Sequence, residues 1–74
     1  MKLPALNARK ILQALRKAGF VIERQKGSHI ILKNYSTGKR TVVPKHSGKT
    51  IKMPLLKGII DDIGLSEEEF LKLL

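Results

Sequence analysis

The sequence predicts an α+β domain in which one helix precedes a three-stranded antiparallel sheet, a second helix follows it, and a short helix ends the chain. Three patterns carry this order. Residues 8–18 hold one apolar stripe at helical spacing, residues 20–43 hold three β-rich runs separated by glycine-containing turns, and residues 54–63 hold a second helical stripe. Seventy-four residues make a single domain, 1–74, because either half alone would be too small to enclose a core.

The first helix has both ends written in the sequence. Asn7 suits the cap, with Leu6 before it and Ile11 four places after it as a hydrophobic staple. Ala8, Ile11, Leu12, Leu15 and Ala18 follow the i, i+3, i+4, i+7 rule, while Arg9, Lys10, Arg16 and Lys17 lie off that stripe. Gly19 fits the left-handed position after the helix, so that Phe20 folds back onto Leu15.

The strands are expected at Phe20–Arg24, His29–Lys33 and Lys39–Val43, with turns at Gln25–Ser28 and Asn34–Gly38, and Pro44 ending the third strand or lying on an edge. Lys45-His46-Ser47-Gly48-Lys49-Thr50 reads as a basic loop. Pro54 suits the first turn of the second helix, whose apolar face is Leu55, Leu56, Ile59, Ile60 and Ile63 and whose end is Gly64. Ser66-Glu67-Glu68-Glu69 is a capping box, and Leu65 with Phe70 is its staple. The helices are expected to cover one sheet face and leave the other open.

Composition narrows the function. There is no cysteine, which excludes disulfides, thiolate nucleophiles and thiolate zinc sites. Apolar runs stop at three residues, against the ~20 needed to span a bilayer, so a cytoplasmic protein without a membrane partner is expected. Residues 1–60 carry fourteen Lys and Arg and one acid, Glu23, for +13, whereas residues 61–74 carry five acids and Lys72, for −4. A body of this charge attracts polyanions at long range and binds nucleic-acid phosphates by counterion release.

The acids offer little chemistry. Asp61 and Asp62 are helix neighbours that point in different directions, and the three glutamates sit in a first turn, where they offset the macrodipole. Only Glu23 is near the basic surface, so a two-metal nuclease is not expected, and neither a metal nor a cofactor. The histidines are His29 and His46. His29 opens a strand after a basic, glycine-containing turn, and His46 lies between Lys45 and Lys49. A neutral imidazole in a phosphate-attracting site can take a proton from a ribose 2′-hydroxyl, whose oxygen then attacks the adjacent phosphate, with Lys or Arg offsetting the developing charge. That chemistry needs RNA. Phe20, Tyr35 and Phe70 are the only aromatics, too few for a base-stacking platform of the OB or RRM kind.

Gly19-Phe20, then Arg24-Gln25-Lys26-Gly27-Ser28-His29, then Val43-Pro44-Lys45-His46 with Gly48-Lys49, resemble the HicA family of bacterial and archaeal toxins, and Gly64-Leu65-Ser66-Glu67-Glu68-Glu69-Phe70 is similar to that family's usual ending. Where family members commonly begin the second helix with a Gly-Thr pair, this chain has Met53-Pro54-Leu55. The resemblance implies a fold like the double-stranded-RNA-binding domain, α-β-β-β-α, which agrees with the order read above. It also implies the toxin of a type II toxin–antitoxin system, an mRNA interferase that cleaves mRNA without metal, with His29 as the catalytic histidine and a HicB-type antitoxin that binds and blocks it. His46 also matches the family pattern and is assigned no catalytic role.

Beside that resemblance, Arg24, Lys26, Ser28, Lys45 and Lys49 are the expected RNA contacts, and the free chain is expected to be a monomer. Strand alternation puts Ile30 and Leu32 on one face and His29 with Ile31 on the other, so Ile31 and His29 are the expected antitoxin contacts. The alternative function is a non-catalytic double-stranded-RNA-binding module, which would read shape through phosphates and 2′-hydroxyls.

Overall fold

A computed structural model describes residues 2–45 and 48–74. Helix α1 spans Ala8–Lys17, and the Asn7 side chain accepts the Lys10 N–H at 2.9 Å. Its inner face buries Ala8, Ile11, Ala14 and Leu15, with Leu12 and Ala18 half-buried at the margins. The C-terminus closes as the sequence requires. Gly19 takes φ +94° and donates to the Arg16 carbonyl, while the Phe20 N–H reaches the Leu15 carbonyl at 2.9 Å, the paired bonds of a Schellman motif.

Strands β1 (Val21–Lys26), β2 (His29–Lys33) and β3 (Arg40–Pro44) form an antiparallel sheet in the order β1-β2-β3. Four strand boundaries differ from the sequence reading. Phe20 lies outside β1, where its backbone is committed to the helix cap and its side chain to the core. Gln25 and Lys26 pair with Ile30 and His29, so the turn shrinks to Gly27-Ser28. Lys39 lies outside β3 although its carbonyl still accepts the Asn34 N–H, and Pro44 is the last strand residue.

Helix α2 spans Met53–Ile63, with Pro54 in its first turn and Gly64 at φ +75° after its end. Helix α3 spans Glu67–Leu71 behind the capping box: the Ser66 hydroxyl accepts the Glu69 N–H at 3.1 Å, and the Glu69 carboxylate accepts the Ser66 N–H at 2.9 Å. Ile30, Leu32 and Val43 of the sheet, Leu56, Ile59, Ile60 and Ile63 of α2, and Phe70 of α3 join the α1 stripe in one core. Thr41, on the same face, donates its hydroxyl to Asp62 at 3.0 Å and ties β3 to α2. The linker before α2 is held to the start of α1 by an Asn7–Thr50 bridge and the Ile51 N–H on the Leu6 carbonyl. The acidic end of the chain is docked: Phe70 is fully buried, and Lys17 donates to the Leu73 carbonyl at 3.1 Å.

Two stability predictions follow from α3. Phe70→Ala empties a fully enclosed site and should cost ~3–5 kcal/mol in urea unfolding, a large share of the total for a small domain. The Ser66 N–H holds the Glu69 carboxyl below the ordinary glutamate range, helped by the Ser66 hydroxyl, against a smaller effect of desolvation, with Lys72 adding to the lowering. A carboxyl depressed in the folded state stabilises above its unfolded pKa, and that stabilisation is lost as pH falls through the folded value. Wild type should therefore exceed Glu69→Gln in Tm near neutral pH, and the gap should close on acidification.

Candidate functional site

The site is built at one end of the sheet by the shortest possible hairpin. Gly27 has φ +60° while Ser28 stays at negative φ, the sign pattern of a type II′ turn, which matches the twist of the strands it joins. Lys26 and His29 close the turn as a cross-strand pair. On its other side His29 stands opposite Pro44, and the ladder continues past β3 through the Lys45 N–H on the Ser28 carbonyl at 2.6 Å. Bonds at Ser28–Lys45 and Asn34–Lys39 make His29–Pro44 a non-hydrogen-bonded pair, the closer kind, with Cα atoms about 4.5 Å apart. Lys26, Ser28, His29 and Lys45 are thereby gathered at one sheet end, and all four are exposed.

The side chain of His29 projects from the face opposite the core. Ile30 and Leu32 are buried, so alternation sends His29 and Ile31 outward, and Ile31 is left half-buried. Arg24 lies opposite Ile31 on the same face. A bulge between Ile22 and Arg24 inserts Glu23 as the extra residue, which lets Glu23 reach across β2 to Arg40 at 3.2 Å. Glu23, Arg24, Ile31 and Arg40 line a shallow hollow of about 430 Å³ on this face. The acid of the basic body is thus occupied by an ion pair two strands wide rather than placed beside His29.

A second basic feature escaped the sequence reading. A groove of about 340 Å³ runs along the outer side of α1, lined by Arg9, Leu12, Gln13 and Arg16, with Ile22 and Lys45 facing them. Arg9, Gln13 and Arg16 stand at i, i+4 and i+7, so one helical face carries all three. The sequence placed Arg9 and Arg16 only off the apolar stripe, and nothing local to α1 shows that Lys45 folds against them. Lys45 therefore borders both the hairpin end and the helix groove. Lys49 is exposed beside the start of α1, just before the Asn7–Thr50 bridge. His46 lies outside the described residues.

The arrangement offers an exposed imidazole on the open face with Lys26 as its cross-strand neighbour, while Lys45, at the same sheet end, turns towards the α1 groove on the helix side. An anionic chain can be held there by several phosphates at once, with a sugar hydroxyl or phosphate presented to His29. No helix among the described residues is long and apolar enough to cross a membrane.

Comparison with curated proteins gives no match. Residues 8–65 match the sequence family described as HicA toxin of bacterial toxin–antitoxin, a span running from the first residue of α1 through the whole sheet and α2. The Gly27-Ser28-His29 hairpin and the α1 face both fall inside it, and the chain belongs to the HicA family of toxins.

Proposed function

We propose that this toxin is an endoribonuclease that cleaves mRNA without a metal ion, using His29 as the general base. The observation that carries this reading is the placement of His29: exposed, on the face away from the core, at a hairpin end where Lys26 is its cross-strand neighbour and Lys45 follows its other partner, Pro44. In the proposed step the neutral imidazole takes the proton of a ribose 2′-hydroxyl. The 2′-oxygen forms a bond to the adjacent phosphorus, the bond to the 5′-oxygen breaks, and water returns a proton to that leaving oxygen. In this reading Lys26 offsets charge on the phosphoryl oxygens, with Lys45 and Ser28 at the same sheet end holding neighbouring phosphates. Arg24 and Lys49, with Arg9 and Arg16 of the helix groove, extend the phosphate track on either side. A HicB-type antitoxin, contacting Ile31 and His29 on the open sheet face, would block that site by covering it.

The helix groove also suits a second reading, a double-stranded-RNA-binding module without catalysis, because a basic helix face can follow phosphates and 2′-hydroxyls by shape alone. His29 separates the two. A long mRNA incubated with EDTA should be cut by the wild type and not by His29→Ala, with a rate loss of ~10²–10⁴-fold and RNA affinity kept. Binding by both proteins with cleavage by neither would favour the module; equal cleavage would remove His29 from the chemistry.

The phosphate track has its own readout. Arg16→Ala and Lys45→Ala should each weaken RNA binding across sequences and reduce the slope of log K against log salt by about 1. An unchanged slope would take that residue out of the interface.

A further inference from the structure

We propose that the outer edge of β3 is where the antitoxin adds a strand to this sheet. The inference rests on the antitoxin reading above and specifies the contact. The Asn34 N–H on the Lys39 carbonyl and the Lys45 N–H on the Ser28 carbonyl show that odd-numbered residues of this segment turn their backbone groups towards β2. The N–H and C=O of Arg40 and Val42, and the C=O of Pro44, therefore point out of the sheet. Among the described residues no hydrogen bond engages them. Such a row of free donors and acceptors is a template for another strand.

The two sheet edges are not alike. β1 carries a bulge and the charged Glu23, Arg24 and Lys26, all devices that discourage pairing. β3 pairs in unbroken register and exposes 41% of Val42. Beside it lies a groove of about 430 Å³ in which Ile31 and Val42 of the sheet face Leu55, Gly58 and Ile59 of α2. Gly58 leaves a gap there, since a Cβ at that position would meet nothing within 4 Å. An incoming strand could seat a side chain in that gap.

The chemistry of the edge selects the occupant. RNA is disfavoured by the apolar lining and by Arg40, the one cation of the groove, which is already paired with Glu23. A second copy would bring two bodies of +9 together. A polypeptide strand with apolar side chains at alternate positions and acidic residues around it meets both the groove and the charge. Neighbouring strands lie about 4.8 Å apart, so a strand added beyond β3 would sit about 10 Å from β2. From there its outward side chains can reach over Pro44 and Val42 to His29 and Ile31.

The test is amide hydrogen exchange on the toxin co-expressed with its own antitoxin, against the free toxin. The Arg40 and Val42 amides should slow by at least ~10-fold in the complex, as hydrogen-bonded strand amides do. Val42→Pro removes an outward N–H and none of the bonds to β2, and Gly58→Leu fills the groove from the helix side. Each should raise the Kd of the complex by about 3–10-fold, the range expected for one lost hydrogen bond or one blocked side chain. A complex that forms with both amides exchanging as in the free toxin overturns this inference alone. If no complex forms, the antitoxin reading falls with it. Concentration-dependent protection of Val42 in the free toxin would place a second copy on the edge instead and overturn the proposal.

Discussion

The register of β2 is the constraint on which the rest of this molecule depends. It is the central strand, bonded to β1 on one side and β3 on the other, and it has five residues with which to satisfy both. Ile30 and Leu32 must face α1 and α2 for the domain to have a core, and that requirement alone turns His29 and Ile31 to the open side. A slip by one residue would exchange the two sets, burying an imidazole and exposing the apolar pair. The two-residue turn at Gly27-Ser28 leaves no slack for such a slip. Gly27 supplies the positive φ that the turn needs, and its removal would disturb the core and the candidate site together.

Charge is distributed around that frame with the same economy. The cations are carried on elements that the core holds rigid: Lys26 by the hairpin, Lys45 by its bond to Ser28, Arg9 and Arg16 by a helix capped at both ends. Rigid placement matters for a polyanion, because each phosphate contact made by a fixed side chain costs less conformational freedom than one made by a loose tail. Three of the six acids are engaged by bonds of their own. Glu23 is paired with Arg40, Asp62 accepts from Thr41, and Glu69 caps its own helix. At the negative end of the chain, Asp62 thus ties α2 to β3 and Glu69 closes the cap of α3.

The open face and its two edges divide the partners by chemistry. The hairpin end and the α1 groove carry clustered Lys and Arg side chains, suited to phosphates. The β3 edge is apolar and carries free backbone groups, suited to another polypeptide. In the proposed scheme these two zones meet at Pro44 and Lys45, so that a protein bound to one would stand over the other. Toxin inhibition would then need no change of fold, only occupancy of an edge that the isolated domain leaves unpaired.

Much of this was legible in the chain itself. The caps at Asn7, Gly19, Gly64 and Ser66 are local chemistry, so the ends of the helices could be read to within a residue or so. Alternation within β2 is equally local, and it assigned the faces of His29 and Ile31 without reference to anything else. Strand limits were less legible, because a strand ends where its partner does: β1 gained Gln25 and Lys26 from pairing with Ile30 and His29, and lost Phe20 to the helix cap. The bulge at Glu23, the convergence of Lys45 on Arg9, Gln13 and Arg16, and the groove between the β3 edge and α2 were invisible for the same reason. Each depends on which distant segments lie side by side. The sequence by itself determined the elements, their caps and the outward face of the histidine, since these follow from spacing within one segment. Only the tertiary structure decided which cations share a groove and which helix residues line the free edge of β3, because those are outcomes of packing the segments on a common core.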